Sequence, residues 1–255
     1  MGDFRQYIEE ESPTRRLSVF DFDGTIANVP ERPKAHEPKH GWSGKDWWGS
    51  KHSLSEPFYT GSVNQEVVDA FKEARNDPNT VAIMLTGRRG IASPYVRNVL
   101  RNQELYGRRV IGSTNEKSQS KFQSAVDSKE DMIHPDENSP NAHQEFYSGD
   151  FMTEKGYPTK TSKKGKEKPD SNTLAHKTYV INKLVDNYKG FDIIEIWDDR
   201  KDHIEAFRNV ARILLKEGKT KQFIIHQVYP PPYPGGQANV VHMPVTLESV
   251  WRNKR

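Results

Sequence analysis

The sequence predicts a three-layer α/β sandwich, and three observations carry that prediction. Short apolar runs (RLSVF at 16–20, TVAIML at 80–85, DIIEIW at 192–197) have the length and β-forming composition of buried strands. Segments with apolar residues at helical spacing separate them, as in parallel sheets covered on both faces. The first and third runs lead directly into pairs of aspartates. In an open parallel sheet, the crevice outside the strands' carboxyl ends is where ligands bind.

The elements follow in order. Residues 1–15 are polar and read as an N-terminal extension. Residues 28–61 hold four Pro, four Gly, three His and three of the five Trp, which suits an ordered loop or small cap. Val67, Val68, Ala70 and Phe71 predict a helix over 64–75, stopped by the turn at 76–79. A second helix is expected over 94–103 and a short strand at Val110-Ile111. Residues 113–172 are dominated by polar residues and Pro, and are expected to form an insertion, part cap and part loop, with a hairpin over 143–152. Leu174, Val180, Ile181, Leu184 and Val185 predict a helix over 173–188. A helix over 203–215 and a fourth strand over 222–228 follow, with a final helix from Leu247. The catalytic core is thus expected over 16–112 and 173–255.

Composition narrows the classes. Hydrophobic residues are 33% of a 255-residue chain, less than a typical globular domain carries, but the net charge is only +3. A folded domain with long polar loops fits both numbers. The absence of cysteine excludes a disulfide framework, a thiolate zinc site and a cysteine nucleophile. No run of 18 apolar residues is present, so no membrane-spanning segment is expected. The first ten residues lack a signal-peptide core, and Gln6 breaks the myristoylation pattern after Gly2. The expected location is therefore intracellular, cytoplasmic or nuclear, and not secreted. Residues 155–168 hold six Lys against one Glu. That tract reads as a solvated loop, with a basic arm over a polyanion as the sharper alternative.

Four clusters carry chemistry. Asp21-Phe22-Asp23-Gly24-Thr25 follows the first strand, Thr86-Gly87-Arg88 the second and Asp198-Asp199-Arg200 the third, while Lys177 lies near the start of the helix before the third strand. These residue types suit phosphoryl transfer. Asp21 supplies a carboxylate nucleophile for an aspartyl-phosphate intermediate. A phosphate dianion repels a carboxylate, so positive charge is required. Lys177 offers it, and so does Mg²⁺ held by oxygens of Asp21, Asp198 and Asp199, with Asp23 counted as a fourth candidate ligand. Thr25, Thr86 and Gly87 are candidate phosphate binders. Asp23, two residues past the nucleophile, is placed to protonate the leaving oxygen and then activate water. Arg200 could bind phosphate or pair with a carboxylate.

These clusters, in this order and context, resemble the four motifs of the haloacid dehalogenase (HAD) phosphatase superfamily. The resemblance implies a Rossmann-like HAD fold, with a central, mostly parallel sheet and an inserted cap. It assigns the nucleophile to Asp21, the acid/base to Asp23, phosphate binding to Thr86 and Lys177, and direct metal ligation to Asp199 with Asp198 beside it. Trp47-Trp48 with Ser53-Leu54, then Asn64, Val67-Val68 and Leu85-Thr86-Gly87-Arg88, is similar to the Swiss Army Knife RNA-repair branch. So is the segment from Trp197 through His203 to Phe207, whose Asp-Asp-Arg also resembles the phosphatase domain of phage polynucleotide kinase–phosphatase. The resemblance covers 16–112 and 173–215. It implies Arg88 as a substrate or phosphate contact and a phosphorylated nucleic-acid end as substrate, plausibly a 3′-phosphate.

Alternatives stay open at this point. A small-molecule or nucleotide phosphatase would use the insertion as a lid, and a non-catalytic nucleic-acid-binding module would keep only a vestigial site. His203 reads as a surface or packing histidine. Trp47 and Trp48 read as cap packing, with a base-stacking platform as the alternative.

Overall fold

The structure is a computed structural model, and it describes residues 14–34, 40–88, 92–105, 144–147, 159–161, 165, 167–169, 173–231 and 236–246. In chain order the strands are β1 (Arg16–Phe20), β2 (Thr80–Thr86), β3 (Gln144–Tyr147), β4 (Thr159–Thr161), β5 (Glu167–Pro169), β6 (Ile193–Asp198), β7 (Gln222–Tyr229) and β8 (Asn239–Val245). The α-helices are α1 (Gln65–Asn76), α2 (Ser93–Asn102), α3 (Thr173–Asn187) and α4 (Lys201–Lys216). Two short 3₁₀ turns, Trp47–Gly49 and Lys51–Leu54, punctuate the loop before α1.

The main sheet has six strands in the order β3-β2-β1-β6-β7-β8. The first five run parallel and β8 is antiparallel to β7. The mixed α/β architecture matches the Rossmann-like expectation. From β1 the chain moves outward to β2 and β3, then crosses to β6 and β7 on the other side. That reversal puts the topological switch point between β1 and β6, where a crevice opens at the carboxyl ends. Phe20 lies in register with Met84 on one side and Trp197 on the other. The residues that follow Phe20 and Trp197, Asp21 and Asp198, therefore emerge side by side.

Strand alternation sorts the core into two layers. Leu17, Val19, Ile83 and Ile196 meet Val180, Ile181 and Leu184 of α3 and Phe207, Ala211 and Leu214 of α4. Phe20, Met84 and Trp197 face the other way, against Val67, Val68 and Phe71 of α1 and Val96 and Leu100 of α2. Phe20 stacks on Phe71 with ring centroids 4.4 Å apart. Val67, Val68 and Phe71 of α1 and Val180, Ile181, Leu184 and Val185 of α3 are buried as their spacing predicts, while Ala70 and Leu174 are half-buried.

Differences from expectation lie at the edges. Gln144–Tyr147 is not one arm of a hairpin but the outer strand of the main sheet, parallel to β2, so part of the stretch expected as an insertion is structural core. β4 and β5 form a separate antiparallel pair inside the Lys-rich tract. β8 was not expected: His242 and Pro244 interrupt its apolar pattern. As the edge strand it tolerates a proline, because one side of its backbone has no ladder to complete. The expected strand at Val110-Ile111, the helix from Leu247 and nearly all of the N-terminal extension lie outside the described residues. No described helix is long and apolar enough to cross a membrane.

Asn64 ties α1 to the loop after β1. It precedes the helix, and its side-chain amide donates to the carbonyls of Gly24 at 3.1 Å and Thr25 at 2.6 Å. Asn64→Ala removes a buried donor from two carbonyls and should lower unfolding free energy by about 1–3 kcal/mol, read as a lower urea midpoint with little change in slope.

Candidate active site

Each strand end delivers one part of the site. Asp21 follows β1, and its backbone N–H continues the ladder to the Trp197 carbonyl at 2.9 Å. Its Oδ1 accepts from the Phe22 N–H at 2.8 Å, which fixes the carboxylate at the strand end. The chain then turns at Gly24, whose φ of 73° suits glycine. A Cβ there would also collide with the Asp199 carboxylate. The two acidic loops pack this closely because residue 24 has no side chain.

Lys177 rises from the first half of α3 between the ends of β1 and β6. Its ammonium lies 2.7 Å from Asp21 Oδ2 and 2.6 Å from Asp198 Oδ2, and the side chain is 2% exposed. Asp198 also accepts from the Arg200 N–H at 2.9 Å, and both its oxygens lie 3.1 Å from His203 Nδ1. His203 is thus a buried partner of the acidic cluster rather than a surface histidine. Its signal in the sequence was its place in the first turn of α4, five residues after Asp198.

Asp21, Asp198 and Asp199 each offer a carboxylate oxygen within 4.8 Å of the others. One lysine does not balance three clustered carboxylates, two of them buried. Burial pushes the Asp21 carboxyl well above its ordinary range; Lys177 opposes this, and Asp198 and Asp199 add to it. Burial and then the neighbouring Asp198 raise Asp199 to about 7. Asp198 is also buried, yet Lys177 and His203 hold it down at about 2. Burial alone would lower Lys177, but Asp198 and Asp21 outweigh it and raise the ammonium. Asp199 Oδ1 is buried with no hydrogen-bond donor among the described residues. A clustered carboxylate set with an unsatisfied oxygen fits a hard divalent cation.

Asp23 stands apart from this set. Although it was counted as a fourth metal ligand, its carboxylate is held by Arg88, with Nη2 to Oδ1 at 2.7 Å and Nε to Oδ1 at 2.9 Å and Oδ2 at 3.0 Å. Arg88 is 1% exposed, and its Nη1 donates to the Trp48 carbonyl at 2.7 Å and Ser53 Oγ at 2.9 Å. The cap loop is thereby fastened to the catalytic edge.

The remaining expected residues divide. Gly87 lines the cleft and packs against Thr173 at the start of α3; a Cβ on Gly87 would come 2.6 Å from Thr173 Cγ2. Thr86 is fully buried, and its Oγ1 accepts from the Arg88 N–H at 3.2 Å. Thr25 is also fully enclosed and does not line the cleft. Arg200 lines the cleft, with its guanidinium paired to Asp202 at 2.7 Å. Thr173 was missed because a threonine opening a helix has no distinguishing pattern. The cleft has a volume of about 930 Å³.

Residues 155–245 match the family described as HAD domain family 1 in Swiss Army Knife RNA repair proteins. That part of the chain is similar to the HAD domain of these RNA repair proteins. The matched residues include Lys177, Asp198 and Asp199, and the match begins inside the stretch that the sequence resemblance left uncovered. No curated protein and no solved structure gives a significant match.

Asp199 generates a prediction with a defined sign. Its folded-state value of about 7 exceeds the ordinary unfolded value of about 4, so its contribution to stability is present at low pH and lost as pH rises through 7. In EDTA, Asp199→Asn should melt above the wild type at pH 8, and the gap should shrink toward pH 5. Mg²⁺ should raise the wild-type Tm and leave the variant's nearly unmoved.

Proposed function

We propose that this chain is a Mg²⁺-dependent phosphomonoesterase that works through an aspartyl phosphate on Asp21, acting as a polynucleotide 3′-phosphatase in RNA end repair. The observation that carries the reading is the Lys177 bridge between Asp21 and Asp198, with Asp199 beside them, at the crevice of a parallel sheet. The match to a HAD domain of RNA repair proteins supports a phosphatase of nucleic-acid repair.

Asp21, Asp198 and Asp199 would hold Mg²⁺, which when bound offsets the repulsion between these carboxylates and a phosphate dianion. Lys177 holds the nucleophile in place and adds charge where the transferring group develops it. A carboxylate oxygen of Asp21 forms a bond to phosphorus as the bond to the leaving oxygen breaks. Asp23 gives that oxygen its proton, so the product leaves as an alcohol. Asp23, now a carboxylate, takes a proton from water while the water oxygen attacks phosphorus. The bond from phosphorus to Asp21 breaks and inorganic phosphate is released. Gly87 and Thr173 border the position of the phosphate oxygens. Arg88 acts as a positioning residue: its two-nitrogen grip orients the Asp23 carboxylate, in place of the phosphate contact expected from the sequence.

The test is phosphate release in Mg²⁺ from a 3′-phosphorylated oligonucleotide, its 5′-phosphorylated counterpart, and a panel of mononucleotides and sugar phosphates. Preference for the 3′-phosphorylated end is expected, with a loss of about a thousandfold or more in Asp21→Asn at unchanged circular dichroism. Turnover of sugar phosphates alone overturns the repair reading. Arg88→Lys should lower kcat by about tenfold to a hundredfold, because an ammonium cannot reproduce the forked contact to Asp23.

A further inference from the structure

Trp47 and Trp48 are adjacent in sequence and opposite in environment. Trp47 is 3% exposed, its ring packs edge-on to Trp42 and Phe58 at centroid separations of 4.9 and 5.1 Å, and its indole N–H donates to the Pro30 carbonyl at 3.2 Å. It is the cap's core. Trp48 is 45% exposed and lines the catalytic cleft. The Arg88 guanidinium carbon lies over its ring, 5.4 Å from the centroid, and among the described residues no other ring or cation stacks on it. A large aromatic ring left this open at the wall of a reaction cleft is a ready contact surface.

Its position says what part of a substrate it would meet. Arg88 joins the Trp48 carbonyl to the Asp23 carboxylate through one guanidinium, so Trp48 stands one side chain away from Asp23 in the cleft that both line. Asp23 is the group that protonates the leaving oxygen in the proposed reaction. The alcohol that carries the phosphate must therefore lie on the Asp23 side of phosphorus. Whatever that alcohol bears enters a cleft whose lining also includes Trp48, Pro57, Phe58 and Tyr59. Phosphate alone needs none of this apolar wall. A flat heteroaromatic ring uses it, and Trp48, pinned to Arg88 on one face, is rigid enough to stack on with the other.

We infer that Trp48 is a stacking platform for the nucleobase of the nucleotide that carries the scissile phosphate. The inference rests on the phosphomonoesterase reading above and names the substrate chemistry its cleft selects. Base–aromatic stacking tolerates any base, so the site would select a nucleotide without selecting its sequence.

The experiment compares kcat/KM for two 3′-phosphorylated oligonucleotides of equal length, one with an ordinary terminal nucleotide and one with an abasic terminal sugar. It uses the wild type, Trp48→Ala and Trp48→Phe, with circular dichroism to check folding. The readout is the ratio of the two substrates, which divides out any general effect on the site through Arg88. The wild type should favour the base-bearing end by about tenfold, chiefly through KM. Trp48→Ala should bring the ratio near one, and Trp48→Phe should keep most of it. Equal losses on both substrates in Trp48→Ala, or a wild-type ratio of one, overturn the inference and leave the phosphatase reading standing. If the wild type acts on neither oligonucleotide but releases phosphate from mononucleotides, the polynucleotide reading fails. The same ratio, taken between a nucleoside monophosphate and ribose phosphate, then decides the role of Trp48.

Discussion

One buried ammonium organises the catalytic edge. Lys177 bonds to carboxylates from two different strands and is almost completely enclosed. Two buried carboxylates side by side would repel each other strongly, and each would tend to protonate. The lysine makes their proximity tolerable and fixes how far apart the ends of β1 and β6 can sit. Its own charge is retained for the same reason, since two anions more than offset the cost of burying it. Breaking such a buried pair leaves an uncompensated charge, so the arrangement holds as a unit or not at all.

The site divides into two electrostatic compartments. Asp21, Lys177, Asp198 and Asp199 form one, where carboxylates outnumber the ammonium, and this imbalance fits a cation. Asp23 and Arg88 form the other, where one guanidinium faces one carboxyl group. The division assigns separate work to two aspartates only two residues apart. In the proposed reaction the first belongs to the phosphorus side and the second faces the departing group. The guanidinium that holds the second also grips the loop before α1 through Trp48 and Ser53. That loop and Asp23 therefore share a single anchor.

Much of this was legible in the sequence, for physical reasons. The buried strands announced themselves because both faces of a parallel sheet are covered, so β1, β2 and β6 are nearly continuous apolar runs. Asp21, Asp198 and Asp199 stood out as acids directly after such runs, and Lys177 through its place one helix before the Asp-Asp strand. What was not legible depends on three-dimensional pairing. Asp23 looked like a further metal ligand until its partner 65 residues away was in place. Thr25 looked like a phosphate binder, but the turn at Gly24 points it into the protein. β8, with a histidine and a proline in its run, lacks the pattern of a strand because it sits at an edge and need not be buried. Nothing in the dipeptide Trp47-Trp48 says which ring goes inward.

The sheet has a seam. Among the described residues, β2 and β3 connect by main-chain pairing to β6, β7 and β8 only through β1, five residues long. The crevice with its ion pairs lies at the top of that seam, and Lys177 stitches it above the last ladder bond. A boundary drawn around the matched residues 155–245 would cut along this line, leaving β6 with an open edge where β1 belongs and Lys177 with one counter-ion in place of two. The portion most easily recognised in the sequence is thus not a folding unit. It is one side of a sheet whose two sides are joined, mechanically and electrostatically, by the short strand that leads into Asp21.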